Sequence, residues 1–178
     1  MTSTSLAVDA ITRRIGLPPR RVRAVATYLT AAGALPAGAP GKSPELSPDD
    51  VVNLVVGSAL DVPLRAVANT VDEYRALVPP GHEASPPTVT RIPTAGLYLD
   101  VLASMAANDA AADVSKMKIE IVTSWPELAI HHVDGSVVRF APAGSLHGHW
   151  QANGHRTSTI INGAAFVEAL SDLFQEKD

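Results

Sequence analysis

Residues 17–23, with the sequence LPPRRVR, constrain the fold more than any other stretch of this 178-residue chain. Gly16 and two prolines come together here, so a helix that arrives from the N-terminal side must end at this point. Apolar residues recur at helical spacing on both sides of the stretch, which predicts one helix over residues 8–16 and another over residues 20–32. The two helices are joined by a rigid turn, and the second begins with Arg20, Arg21 and Arg23.

A third helix is predicted to begin directly after Ser47. The sequence SPDD places a serine at the N-cap, a proline at the first helical position and two acids beside the positive end of the helix dipole. The preceding residues 34–47 contain three prolines and two glycines, which predicts an extended loop or wing with Lys42 near its tip. A fourth helix is expected over residues 63–77.

The second half of the chain predicts a small mixed structure. Prolines cluster between residues 79 and 94 and indicate a linker, so we expect domains at residues 1–78 and 95–178. The apolar patterns predict a helix over 96–112, strands over 118–123, 128–133, 136–140 and 157–161, and a last helix over 163–174. Asp134-Gly135 predicts a tight hairpin turn. The expected class is α+β, with an all-α first domain and an antiparallel sheet in the second.

Charge is distributed unevenly along the chain. Residues 1–43 carry a net charge of +5 and residues 44–178 a net charge of −9. A basic segment on an acidic body is typical of a small nucleic-acid-binding head. The chain contains no cysteine, which excludes disulfides, thiolate zinc sites and cysteine nucleophiles. The N-terminus lacks a signal-peptide pattern and no apolar stretch is long enough to cross a membrane, so a soluble cytoplasmic protein without a membrane partner is expected.

Three segments together carry a resemblance to a known family. They are the run AITRRIGLPPRRVR from residue 10, AGALP from residue 32 and SPDDV from residue 47. Their order resembles the winged helix-turn-helix of MerR-type regulators over residues 8–60. The resemblance implies binding to double-stranded DNA, in which arginines at the start of a recognition helix reach bases or phosphates. The predicted DNA-contacting residues are Arg13, Arg14, Arg20, Arg21, Arg23, Thr27 and Lys42.

The overall layout also resembles small prophage DNA-binding proteins, including small terminase subunits that recognise phage DNA for packaging. Because a single small head binds DNA weakly, a homo-oligomer is expected, with residues 95–178 as the oligomerisation domain. A transcriptional regulator and a packaging subunit both remain open. The alternatives from other classes are a protein–protein adaptor with an ordinary helical bundle and a metal- or ligand-sensing second half.

Motifs for catalysis are missing from the sequence. There is no phosphate-binding Gly-rich loop with lysine, no serine elbow and no carboxylate pair at catalytic spacing, so we expect a non-enzymatic protein without a cofactor. Five histidines lie between residues 131 and 155. Strand and loop positions explain them better than a zinc site does, and no metal site is predicted. Trp125 and Trp150 are expected to fill a small core or an oligomer interface.

Overall fold

The computed structural model describes residues 2–39, 44–81, 93–108, 110–152 and 154–175. Within these ranges the chain is α+β, with seven α-helices and one four-stranded antiparallel sheet. None of the helices in the described ranges is both long and apolar enough to cross a membrane. The helices are α1 (Thr4–Ala10), α2 (Pro19–Ala31), α3 (Pro48–Ala59), α4 (Val67–Arg75), α5 (Ala95–Ala106), α6 (Ala111–Val114) and α7 (Gly163–Phe174).

The first helix begins earlier than its apolar pattern predicts. Ser3 caps α1 by accepting a hydrogen bond from the backbone N–H of Leu6, so the helix begins at Thr4 instead of residue 8. The helix continues as a π-helical turn, Ile11–Ile15, and Gly16 ends it in the left-handed region with φ of 82°. Pro19 then occupies the first position of α2, where its missing N–H costs nothing. The two predicted helices and the turn between them are therefore present.

The third helix forms the centre of the helical part. Ser47 and Asp50 make the reciprocal hydrogen bonds of a capping box, as the SPDD sequence predicts. Its residues from Val51 onwards are almost all buried. At Gly57 an added Cβ would lie 2.9 Å from Val25 of α2 and 3.1 Å from Val71 of α4. Glycine therefore permits the close packing of α2 and α4 against α3.

The sheet has the strand order β3-β2-β1-β4. The strands are β1 (Lys118–Val122), β2 (Glu127–His131), β3 (Val137–Phe140) and β4 (Ser158–Asn162). The hairpin between β2 and β3 turns at Asp134 and at Gly135, whose φ is 85°, which confirms the predicted turn. Successive side chains of a strand point to opposite faces of the sheet, and one face of this sheet packs into the core that the helices share. The core residues on this face are Ile119, Ile121, Leu128, Ile130 and Phe140. Glu120, Glu127, His131 and Arg139 lie on the opposite face.

One hydrophobic core extends through both halves of the chain. The Tyr74 hydroxyl of α4 donates to the backbone carbonyl of Val122 at 2.5 Å, and Thr159 of β4 donates to the carbonyl of Ala59 at 3.1 Å. At the chain ends, the Thr2 hydroxyl donates to the carbonyl of Leu173 at 2.7 Å. The predicted linker, residues 79–94, falls largely outside the described residues, which omit 82–92. The division into two domains stays a prediction.

Candidate nucleic-acid interface

The first two turns of α2 present cations to solvent. Arg20, Arg23 and Thr27 are all exposed. Neither arginine side chain forms a hydrogen bond or ion pair within the described part of the chain, and the Thr27 hydroxyl donates to the carbonyl of Arg23 at 3.1 Å. Pro18 and Pro19 fix the start of α2, so this face has two guanidinium groups at one helix end that have no partner among the described residues.

Arg21 points in a different direction. Its guanidinium donates to the carbonyl of Leu60 at 2.7 Å and to that of Gly57 at 3.4 Å. These carbonyls lie at the C-terminal end of α3, where the last turn of a helix lacks intrahelical donors and the dipole favours a cation. Arg21 thus connects α2 to α3 and holds the angle between the two helices.

Arg13 and Arg14 are held by acidic side chains of α7. Arg14 forms ion pairs with Asp172 at 2.7 Å and with Glu168 at 2.9 Å, and Arg13 reaches Asp172 at 2.6 Å. Hydrogen bonds from Arg14, followed by those from Arg13, lower the pKa of Asp172 to about 2. The contacts of Arg14 with Asp172 and then Glu168 raise the pKa of Arg14. These two arginines attach the N-terminal helix to the last helix of the chain.

Of the seven residues predicted to contact DNA, the structure brings Arg20, Arg23 and Thr27 together on one exposed face. It places Arg13, Arg14 and Arg21 in contacts within the chain. Lys42 lies outside the described residues, as do the other residues from 40 to 43 of the predicted wing.

A second polar cluster lies on the outer face of the sheet. Glu127 has no exposed surface. Its Oε1 accepts from Arg139 at 2.6 Å and from Arg156 at 2.8 Å, while its Oε2 accepts from the Trp125 indole and the His149 ring, both at 2.9 Å. Because every lone pair of this buried carboxylate has a donor, its charge is compensated where it lies.

Glu120 extends this cluster along β1. Its two oxygens accept from Arg156 at 2.8 Å and from His131 at 2.7 Å. Burial by itself raises the pKa of Glu120, but hydrogen bonds from Arg156, Ser158 and His131 outweigh it and lower the pKa to about 2. Burial likewise opposes the hydrogen bonds to Glu127, whose pKa is lowered overall.

Both tryptophans belong to this cluster. The Arg139 guanidinium lies 4.4 Å from the centre of the Trp150 ring, and that of Arg156 lies 5.4 Å from the centre of the Trp125 ring. The negative charges of Glu120 and Glu127 are balanced by the positive charges of Arg139 and Arg156. The contacts of His149 and Trp150 also attach the loop that carries them to the sheet. Within the described ranges, no three His, Asp or Glu side chains are grouped so that they could hold a metal ion.

The sequence contains a weak signal for this cluster. Glu120 interrupts the apolar pattern of β1, so an outward carboxylate could be expected there, but its partner Arg156 is 36 residues away. The predicted strand over 128–133 begins after Glu127, whereas β2 begins with this residue. Comparison of the chain with protein-family models, with curated proteins and with solved structures found no match.

Proposed function

We propose that the chain binds double-stranded DNA through the exposed face of α2, with Arg20 and Arg23 as the main contacts and Thr27 beside them. One observation carries the proposal. Six arginines of the described residues are engaged within the chain, namely Arg13, Arg14, Arg21, Arg75, Arg139 and Arg156. Arg20, Arg23 and Arg65 form no hydrogen bond or ion pair among the described residues, and of these three only Arg20 and Arg23 lie together at the start of one helix.

The surroundings of α2 suit a recognition helix. Arginine can donate two parallel hydrogen bonds to guanine or to a phosphate, and the first turns of a helix are the part that enters a major groove. The contact from Arg21 to the end of α3 fixes α2 in position, so the helix is a rigid support for Arg20 and Arg23. A winged helix-turn-helix of MerR-like type, with Lys42 in the wing, is part of this proposal.

Two free arginines allow few phosphate contacts for each chain. A single head of this kind binds weakly, because each neutralised phosphate contributes only a modest, salt-dependent increment. The proposal therefore includes a homo-oligomer that presents two or more copies of α2 to the duplex. A transcriptional regulator and a phage DNA-packaging subunit both fit, and native mass spectrometry separates a dimer from the ring expected of a packaging subunit.

The test is a titration of a mixed-sequence DNA duplex at low and moderate salt. We expect Arg20→Ala/Arg23→Ala to weaken binding at least tenfold and to reduce the slope of log affinity against log salt by about 1–2, if both side chains contact phosphates. Lys116→Ala/Lys118→Ala is the matched control, since it removes two exposed cations that lie outside α2, at and just before the start of β1.

Two outcomes would contradict the proposal. One is a wild-type chain without affinity for DNA at low salt. The other is an equal loss of binding in the lysine control, which would show a diffuse charge effect instead of a site on α2.

A further inference from the structure

A groove of about 600 Å³ lies between α1 and α2. Val8 and Ala26 lie beneath it and are almost fully buried, Ala31 adds exposed apolar surface, and its walls include Asp9 and Arg23. The volume lies in the range of roughly 300–1,000 Å³ that small-molecule sites occupy, and such sites combine an apolar lining with a few polar groups. The groove has this composition.

The two charged walls have opposite signs and do not neutralise each other. Asp9 on α1 and Arg23 on α2 are both exposed, and neither forms an ion pair within the described residues. The hydroxyl-bearing side chain of Thr30 also lines the groove. A ligand that carries an ammonium group and a carboxylate would complement the charges of both walls, and an apolar body would lie against the exposed apolar part of the lining, which includes Ala31.

We propose that this groove binds a free α-amino acid with a large apolar side chain. The ligand carboxylate pairs with the Arg23 guanidinium, because arginine matches a carboxylate with two parallel hydrogen bonds. The ligand ammonium pairs with the Asp9 carboxylate. The side chain replaces water over the exposed apolar part of the lining, and this burial supplies the non-directional part of the affinity.

The groove shares Arg23 and Thr27 with the face proposed to contact DNA, so ligand and DNA compete. This second part rests on the proposed function. A bound amino acid engages the Arg23 guanidinium and thereby lowers the affinity for DNA. By thermodynamic linkage, DNA lowers the affinity for the amino acid by the same factor.

The first test is an amide chemical-shift titration of the full-length, ¹⁵N-labelled chain with L-leucine and L-phenylalanine. We expect the largest shifts in residues of α1 and α2 that line the groove. N-acetyl-L-leucine and L-leucinamide each lack one charge and should bind at least tenfold more weakly. Asp9→Asn should weaken L-leucine at least tenfold, whereas Asp61→Asn, an exposed aspartate outside the groove, should not.

Absence of shifts in the groove with both amino acids would overturn the proposal, as would equal binding of the N-acetyl derivative. The competition is tested by repeating the DNA titration with saturating L-leucine. The wild type should bind DNA more weakly with the ligand, while Asp9→Asn should bind DNA without responding to it. If the chain binds no DNA at all, the proposed function fails and the shift titration still decides whether the groove is an amino-acid site.

Discussion

Glu120 and Glu127 are carboxylates that have almost no exposed surface on the outer face of the sheet. Removing a charge from water costs several kcal/mol, and partners with good geometry are needed to offset that cost. Arg156 donates hydrogen bonds to both acids. His131 contacts the second oxygen of Glu120, and His149 contacts the second oxygen of Glu127. The lowered pKa values of the two acids express this compensation.

The pKa of Glu120 leads to a prediction about stability and pH. Its ordinary value is 4.5 and its folded value is about 2, so the folded state favours the ionised form. The contribution of this group is complete above pH 4.5 and is lost as the pH falls toward 2. Glu120→Gln should lower the free energy of unfolding by about 3 kcal/mol at neutral pH. That difference should shrink steadily below pH 4.5.

Urea unfolding of both chains across this pH range measures the difference. Glu73→Gln is the matched control, because Glu73 is exposed and has no hydrogen-bonded partner among the described side chains. If the difference in the free energy of unfolding between wild type and Glu120→Gln stayed constant from neutral pH to pH 2, the contacts of the ionised Glu120 would not be what stabilises the fold.

At the scale of elements, signals that lie within a few residues predicted the fold well. The Ser47 cap, the prolines at the start of α2 and the Asp134-Gly135 turn act through neighbouring backbone, and the structure has all three. The predicted helix over 96–112 ends instead at Ala106, because apolar periodicity in an alanine-rich stretch does not mark an end. Arginine contacts could not be predicted, since Asp172 lies 158 residues from Arg14. Such partners depend on packing between distant elements.

The contact between α2 and α3 gives a prediction at this scale. Arg21→Ala removes the donor that satisfies the carbonyl of Leu60 at the end of α3. We expect the free energy of unfolding to fall by about 1–3 kcal/mol, the range for a hydrogen bond to a charged group. Arg65→Ala is the control with the same charge change, because Arg65 is exposed and has no such contact in the described chain. Equal urea midpoints for the two variants would remove the proposed role of Arg21 as the connection between the helices.

For the whole molecule, contacts between the halves decide how the chain unfolds. Arg13 and Arg14 of the N-terminal segment pair with α7, and Thr2 reaches Leu173. Tyr74 reaches Val122 across the buried interface between α4 and the sheet. A core shared in this way couples the stability of each half to that of the other, because neither half can expose its side of the interface without cost.

The chain provides two probes that report on different parts of this core. Both tryptophans lie in the second half, whereas the longest helices of the first half, α2 and α3, contribute strongly to the far-ultraviolet circular dichroism. We expect tryptophan fluorescence and the helical signal to change in one coincident urea transition, as in two-state unfolding. Arg13→Ala/Arg14→Ala should move both curves to lower urea together, since it breaks contacts between α7 and the N-terminal segment. Two separated transitions, with only one shifted by that variant, would instead support the independent domains at residues 1–78 and 95–178 that the proline-rich linker predicts.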